Sequence, residues 1–171
     1  MGDVFKEQIV KKESTAKDFM MKVAIVIAAA LIFLLALMIP ILSGFAMIIL
    51  AVEIFGVYIL FSRLNIEYEY VFTNGELDID VIYSKSRRKR LYSGRVADFE
   101  LMAHVEDKAH AGAFSGASGT KDYSSGRTKP NTYAALATVK GVKTKILLEP
   151  NESMLKAFST VLTPRKLFKK I

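Results

Sequence analysis

Three patterns of apolar and polar positions follow one another along the chain. From Val23 to Ser62, forty residues hold one charged side chain, Glu53. Val23–Ile39 is seventeen residues without a polar side chain. A helical rise of about 1.5 Å per residue makes that roughly 26 Å, close to the hydrocarbon thickness of a bilayer. Gly44–Phe61 is a second run of eighteen, interrupted by Glu53. Pro40-Ile41-Leu42-Ser43-Gly44 between them breaks the helix and carries no charge. Two spans so briefly connected are antiparallel neighbours. Residues 23–62 are therefore expected to form a transmembrane helical hairpin with spans 23–42 and 44–62. A buried hairpin in a soluble core would need a polar face, which this block lacks. A cleaved signal peptide would need a small-residue cleavage site and then polar sequence, whereas a second apolar run follows at once. Thr15-x-x-Asp18 resembles a capping box and sets the first helix start near Ala16.

Outside that block the periodicity changes. Residues 1–22 form a short tail with five Lys and four acids. Phe5 and Ile9, flanked by Val4 and Val10, predict a short amphipathic helix at the membrane interface, with a frayed tail as the alternative. After Arg63 the period is two. Ile66–Phe72 alternates around Glu67 and Glu69, Thr73-Asn74-Gly75 is a strong hairpin signal, and Glu76–Tyr83 alternates again. Ser84-Lys85-Ser86 turns the chain, Arg87–Tyr92 is a third strand, Ser93-Gly94 breaks it, and Val96–Val105 reads as a fourth. An antiparallel meander is expected. Residues 106–131, rich in Gly, Ser and Ala, read as a long flexible loop. Strands resume at Thr132–Val139 and Lys143–Leu148 around Gly141. Asn151 caps a helix over Glu152–Leu162, amphipathic through Met154, Leu155, Phe158, Val161 and Leu162, and Pro164 stops it. The tail Arg165–Lys170 is basic. Residues 63–171 thus read as one antiparallel β-domain with a helix placed to cover it.

Charge sharpens this division. The 171 residues carry 24 Lys and Arg against 17 Asp and Glu, a formal net charge of +7, with 51% hydrophobic residues. The segments 1–22, 23–62 and 63–171 carry +1, −1 and +7, so the excess belongs to the β-domain. Lys11, Lys12, Lys17 and Lys22 precede the hairpin, Arg63 and the 85–90 cluster follow it, and its tip has no cation. That asymmetry predicts a multi-pass cell-membrane protein with both termini cytoplasmic. The chain has no cysteine, which excludes a disulfide-built secreted module and a thiolate metal site.

Lys85, Arg87, Arg88, Lys89, Arg90 and Arg95 put six cations in eleven residues. Each Lys or Arg near an anionic bilayer contributes about 1 kcal/mol, so these residues are candidates for lipid headgroups or an acidic protein partner. On a strand, Arg87 and Lys89 face opposite to Arg88 and Arg90, so a solvated, aggregation-resistant strand is the competing reading. No stacking platform or groove-reading helix points to nucleic acid. Glu53, near mid-span, is the intramembrane candidate: a carboxyl bonded to backbone or across an oligomer interface, or a proton-handling group. His104, Glu106, Asp107 and His110 match no standard metal spacing. Ser115, Ser118, Ser124 and Ser125 lack a nucleophile elbow, and the glycines at 112–119 lack a phosphate-loop pattern. No cofactor and no enzymatic activity are expected.

Tyr70-Val71-Phe72-Thr73-Asn74-Gly75-Glu76-Leu77, a basic strand, Phe99-Glu100, then Leu147-Leu148-Glu149-Pro150-Asn151 and a helix ending before Pro164-Arg165 follow the helical hairpin. Together they resemble bacterial membrane proteins carrying a pleckstrin-homology-like (PH-like) domain, in particular small proteins with two membrane helices ahead of it. The resemblance implies an α+β chain: a two-helix hairpin followed by a PH-like sheet or barrel with a C-terminal capping helix. Because such folds host many tasks, it brings no catalytic residue with it. The functional expectation is a non-enzymatic binding or scaffold module held at the inner membrane surface. The alternative is an oligomeric transport or channel accessory that uses Glu53.

Overall fold

Thr15 and Asp18 start the first helix as their spacing predicts. The Thr15 hydroxyl accepts from the Asp18 amide at 3.2 Å, and the Asp18 carboxylate accepts from the Thr15 amide at 2.9 Å. In this computed structural model, which describes residues 3–168, helix α1 runs Ala16–Met38, a short α2 covers Pro40–Ser43, and α3 covers Ala46–Leu64. Pro40 at the first turn of α2 ends α1 and starts the reversal. Helices α1 and α3 pack together as one compact unit, Ser14–Ile66, and both are long and apolar enough to cross a membrane. Ala36 is buried in α1, while most large side chains of the pair, such as Leu35, Val52 and Phe55, face outward.

The other unit joins the segment up to Glu13 to the segment from Glu67 onward. Here the tail expected as a helix or frayed end is a strand, β1 (Phe5–Lys11). It pairs antiparallel with β2 (Ile66–Thr73), Phe5 opposite Thr73 and Lys11 opposite Glu67. The physical reason is non-local: β2 offers an open edge, and the Asn74 amide and side chain close the end of the ladder on Val4 at 3.0 and 2.9 Å. Then come β3 (Glu76–Tyr83) and β4 (Arg87–Arg95), completing a sheet ordered β1-β2-β3-β4. Asn74 and Gly75 both have positive φ (49° and 100°), the geometry of the tight hairpin that Asn-Gly favours.

Strand β4 runs through Ser93-Gly94, which do not break it. The meander ends just beyond. Val96–Asp98 forms a 3-10 turn, and β5 (Leu101–His104) joins a second sheet instead of continuing the first. That second sheet has the order β6-β8-β7-β5-β9, with β6 (Gly119–Asp122), β7 (Tyr133–Val139), β8 (Val142–Leu148) and β9 (Leu167–Phe168). Strands β7 and β8 form the expected hairpin, turning at Lys140 and Gly141.

Residues 106–131 are not a structureless loop. They contain a 3-10 turn at Ala111–Gly116 and strand β6, which runs parallel to β8 from Gly119 opposite Thr144 to Asp122 opposite Leu147. Phe114, Tyr123, Ser124 and Ser125 of this segment are buried. Strand β9, from the basic tail, pairs parallel with β5. Lys169 and Lys170 lie outside the described residues.

Alternation explains the core. Tyr70 and Phe72 of β2, Leu77 and Ile79 of β3, Phe99, Met102 of β5 and Ile146 and Leu148 of β8 are essentially inaccessible. Helix α4 (Glu152–Ser159) begins on Asn151, whose side chain accepts from the Met154 amide at 2.8 Å. It buries Met154, Ala157 and Phe158, and the Phe158 ring lies 5.5 Å from that of Phe72.

Candidate functional site

Strand β4 is an edge of the first sheet, and it divides into two halves. Residues 87–90 are four consecutive cations, whereas Leu91-Tyr92-Ser93-Gly94 carries no charge. Lys85 lies in the preceding turn at φ 59°. The six cations do not form one patch. On the outer face of the sheet, Arg88 reaches Glu69 of β2 at 2.9 Å. Arg90 is clamped by Asp78 at 2.8 Å and by Asp80. Arg95 meets Asp98 at 3.2 Å, with both partners more than half exposed. Lys85, Arg87 and Lys89 are exposed and make no ion pair among the described residues. The hydrogen bond from Arg90 to Asp80 raises the guanidinium pKa above its already high value. Glu69 is opposite in character. Its side chain is 3% exposed, with Arg88 at one carboxylate oxygen and the Glu7 side chain nearby. Burial raises its pKa, with the Arg88 charge opposing.

Past the charged half, β4 lines a cleft of about 530 Å³, a size typical of ligand pockets. One wall is six consecutive residues, Arg90–Arg95, with Asp98 at the end; the other is the end of β7 and its turn, Ala137–Lys140. Gly94 is required at this wall. A Cβ there would lie 2.6 Å from the Tyr92 hydroxyl oxygen, so only glycine lets the Tyr92 ring fold back along the strand. Burial pushes the Tyr92 phenol up to about 12, so it remains a neutral donor at physiological pH. Lys140, absent from the sequence-derived candidates, lies exposed across the cleft. No one-dimensional signal marks it, because the cleft exists only where the two sheets approach.

A buried polar hub lies elsewhere in the same unit. Glu149, 3% exposed, accepts from the Ser125 hydroxyl at 2.7 Å and the Ser125 amide at 3.1 Å. The Tyr70 hydroxyl donates to the Tyr123 carbonyl at 2.5 Å and accepts from the Glu149 amide at 3.3 Å. Gln8 of β1 donates to the Glu149 carbonyl at 2.7 Å and accepts from the Asn151 amide at 2.8 Å. Glu13 pairs with Lys129 at 2.8 Å and Arg127 at 3.1 Å. The Lys129 hydrogen bond lowers the Glu13 carboxyl pKa. Every donor here has an acceptor, so the hub locks β1, the 122–131 segment and the β8–α4 junction together.

The remaining candidates are structural. Nδ1 of His104 accepts from the Glu106 amide at 3.2 Å, which leaves its Nε2–H to donate to the Pro130 carbonyl at 2.9 Å. His110 stacks on Phe168 at 3.7 Å and bonds Asp107 at 2.7 Å. No metal-ligating cluster occurs among the described residues. In the helical unit, one Glu53 carboxyl oxygen is shielded without a hydrogen-bond partner among the described residues.

No curated protein and no solved structure matches the chain. One family model does, over residues 2–169, and it is described as a bacterial PH-like domain (DUF6106). With two sheets, a C-terminal helix and a match over nearly the whole chain, the protein belongs to this bacterial PH-like domain family.

Proposed function

We propose that this protein is a non-enzymatic binding module that α1 and α3 anchor in the bacterial cell membrane, with β1 and the PH-like unit on the cytoplasmic side. The observation that carries this reading is the pairing of β1, before the hairpin, with β2, directly after it. A chain that leaves one folded sheet and re-enters the same sheet has crossed the membrane an even number of times. One span is therefore incompatible with the fold, and two apolar helices supply the pair. Cleavage after the first span would also remove β1 and the Gln8 bonds. The many outward-facing Leu, Ile, Val and Phe side chains of α1 and α3 would be a large exposed patch in water and are the ordinary surface of a helix in lipid. Alkaline carbonate extraction of cell membranes tests the anchoring. The protein should stay in the pellet and be released only by detergent; release by carbonate would overturn the reading.

Within it, of the six cations at 85–95, Lys85, Arg87 and Lys89 have no ion pair among the described residues and are free to meet anionic headgroups, while Arg88, Arg90 and Arg95 hold acids of their own sheet or turn. Glu53 favours a second reading, an oligomeric transport or channel accessory, because a carboxyl in an apolar span, one of its oxygens without a hydrogen-bond partner among the described residues, is a group such a role could use. Glu53→Gln should then change the oligomer seen by light scattering in detergent. A monomer for both the parent and the variant would remove this second reading.

A further inference from the structure

The cleft between β4 and the β7–β8 turn is built along a sheet edge, and that construction indicates what it takes. Strand β4 pairs with β3 on one side and with no strand on the other among the described residues. It is nine residues long and has no proline. Open edges of this kind are normally protected by charge, and residues 87–90 are protected in that way. The run of charge stops at Leu91, an extra residue between Arg90, opposite Asp80, and Tyr92, opposite Ile79; beyond this irregularity the edge is regular and lines the cleft. The Tyr123 hydroxyl approaches the Leu91 carbonyl at 3.5 Å. The stretch Leu91–Gly94 is therefore an uncharged edge with a second wall facing it.

The cations in the cleft do not converge on a point, as a headgroup or free phosphate would require. Arg90 is held by Asp78 and Asp80 and Arg95 by Asp98, leaving Lys140 as the lining cation with no ion pair among the described residues. Charge is instead spread along the strand: Arg87 and Lys89 before the cleft, Arg95 and Lys140 around it. The exposed Arg95–Asp98 pair is weak enough to exchange partners. Six residues of backbone edge, about 20 Å of strand, with Arg87 and Lys89 ahead of it, Arg95 at its end and Lys140 on the facing wall, match an extended chain with acidic side chains.

We propose that β4 is a docking edge: an extended acidic peptide segment of a partner protein adds to Leu91–Arg95 as a fifth strand, its side chains flanked by Lys140 and Arg95. This names the partner chemistry of the binding module proposed above and rests on that reading.

The test uses the full chain in nanodiscs of zwitterionic lipid and a fluorescent peptide of alternating Val and Glu as probe. Binding should be saturable and should slow amide hydrogen exchange at residues 91–95. It should weaken at least about tenfold in Lys140→Glu/Arg95→Glu, and by a similar factor when alternate peptide amides are N-methylated with the side chains unchanged. Equal binding of the N-methylated peptide would reduce the contact to charge alone and overturn the proposal. So would binding without exchange protection at 91–95, no saturable binding, or displacement of the peptide by anionic lipid in the same discs, the last making the cleft a headgroup site. Failure of the chain to enter nanodiscs at all would instead count against the membrane anchor, a separate outcome.

Discussion

Met38 and Met47 in the helical unit are each 79% exposed, whereas Met102 and Met154 in the β-unit are fully shielded. The same contrast holds for Phe55 and Phe72, at 63% and 1% exposure. One chain therefore handles apolar surface in two ways. In the β-unit, alternation hides it and leaves the cations and most acids outside, Glu69 and Glu149 being the buried exceptions named above. In the helical unit it faces outward all round, and the backbone is satisfied within each helix. On the anchoring proposed above, the two units face different solvents, so the same substitution should have different consequences in each.

The largest expected effect lies in the β-unit. Phe72→Ala removes a ring packed on Phe158 and should cost about 3–5 kcal/mol. Phe55→Ala should cost less than about 1 kcal/mol, since on the proposed anchoring its ring meets apolar tails in folded and separated helices alike. Thermal melts of the full chain in detergent compare them; equal losses would break the contrast. Next comes the buried hub: Ser125→Ala leaves Glu149 short of a donor and should cost about 1–3 kcal/mol by the same melt.

A smaller effect depends on pH. Burial holds the Glu69 carboxyl above 4.5, so the folded unit binds that proton more tightly than the unfolded chain does. The stability Glu69 contributes therefore falls as pH rises from 4.5 through its raised folded value. Glu69→Gln should flatten the decline of Tm as pH rises above 4.5; an unchanged slope would remove Glu69 as its source. Smallest of all, Lys143→Ala breaks a half-exposed pair with Glu100 and should shift stability by no more than about 1 kcal/mol.

Signals confined to a few neighbouring residues were legible in the sequence. The Thr15–Asp18 box, the Asn74-Gly75 turn, the Asn151 cap and the two apolar runs all appear where spacing put them. What escaped depends on distant partners. Phe5–Lys11 buries only Val10, so no period marks it, and it becomes a strand because β2 has an edge to share. Gly119–Asp122 is ordered by β8 beside it and by the hub that Ser125 and Glu149 form across 24 residues. Neither the mixed composition of residues 5–11 nor the glycine-rich one of residues 106–131 reveals the strand each pairs with. The sequence marks the basic residues, but not that Glu69, two strands away, occupies Arg88, that Asp78 and Asp80 on the neighbouring strand occupy Arg90, nor that Lys140 stands opposite β4. One practical consequence is that a fragment starting at residue 64 lacks β1, so binding studies belong on the full chain.

The central claim is that the hairpin crosses the membrane while β1 and the PH-like unit share its cytoplasmic side. Because the chain has no cysteine, single substitutions report accessibility without background. Lys12→Cys, Ser43→Cys and Lys140→Cys should be treated with a membrane-impermeant maleimide in intact cells and again after the membrane is opened. The account predicts labelling at position 43 alone in intact cells, and at all three positions once the membrane is permeable. Labelling of position 12 or 140 in intact cells, or protection of position 43 there, would contradict it.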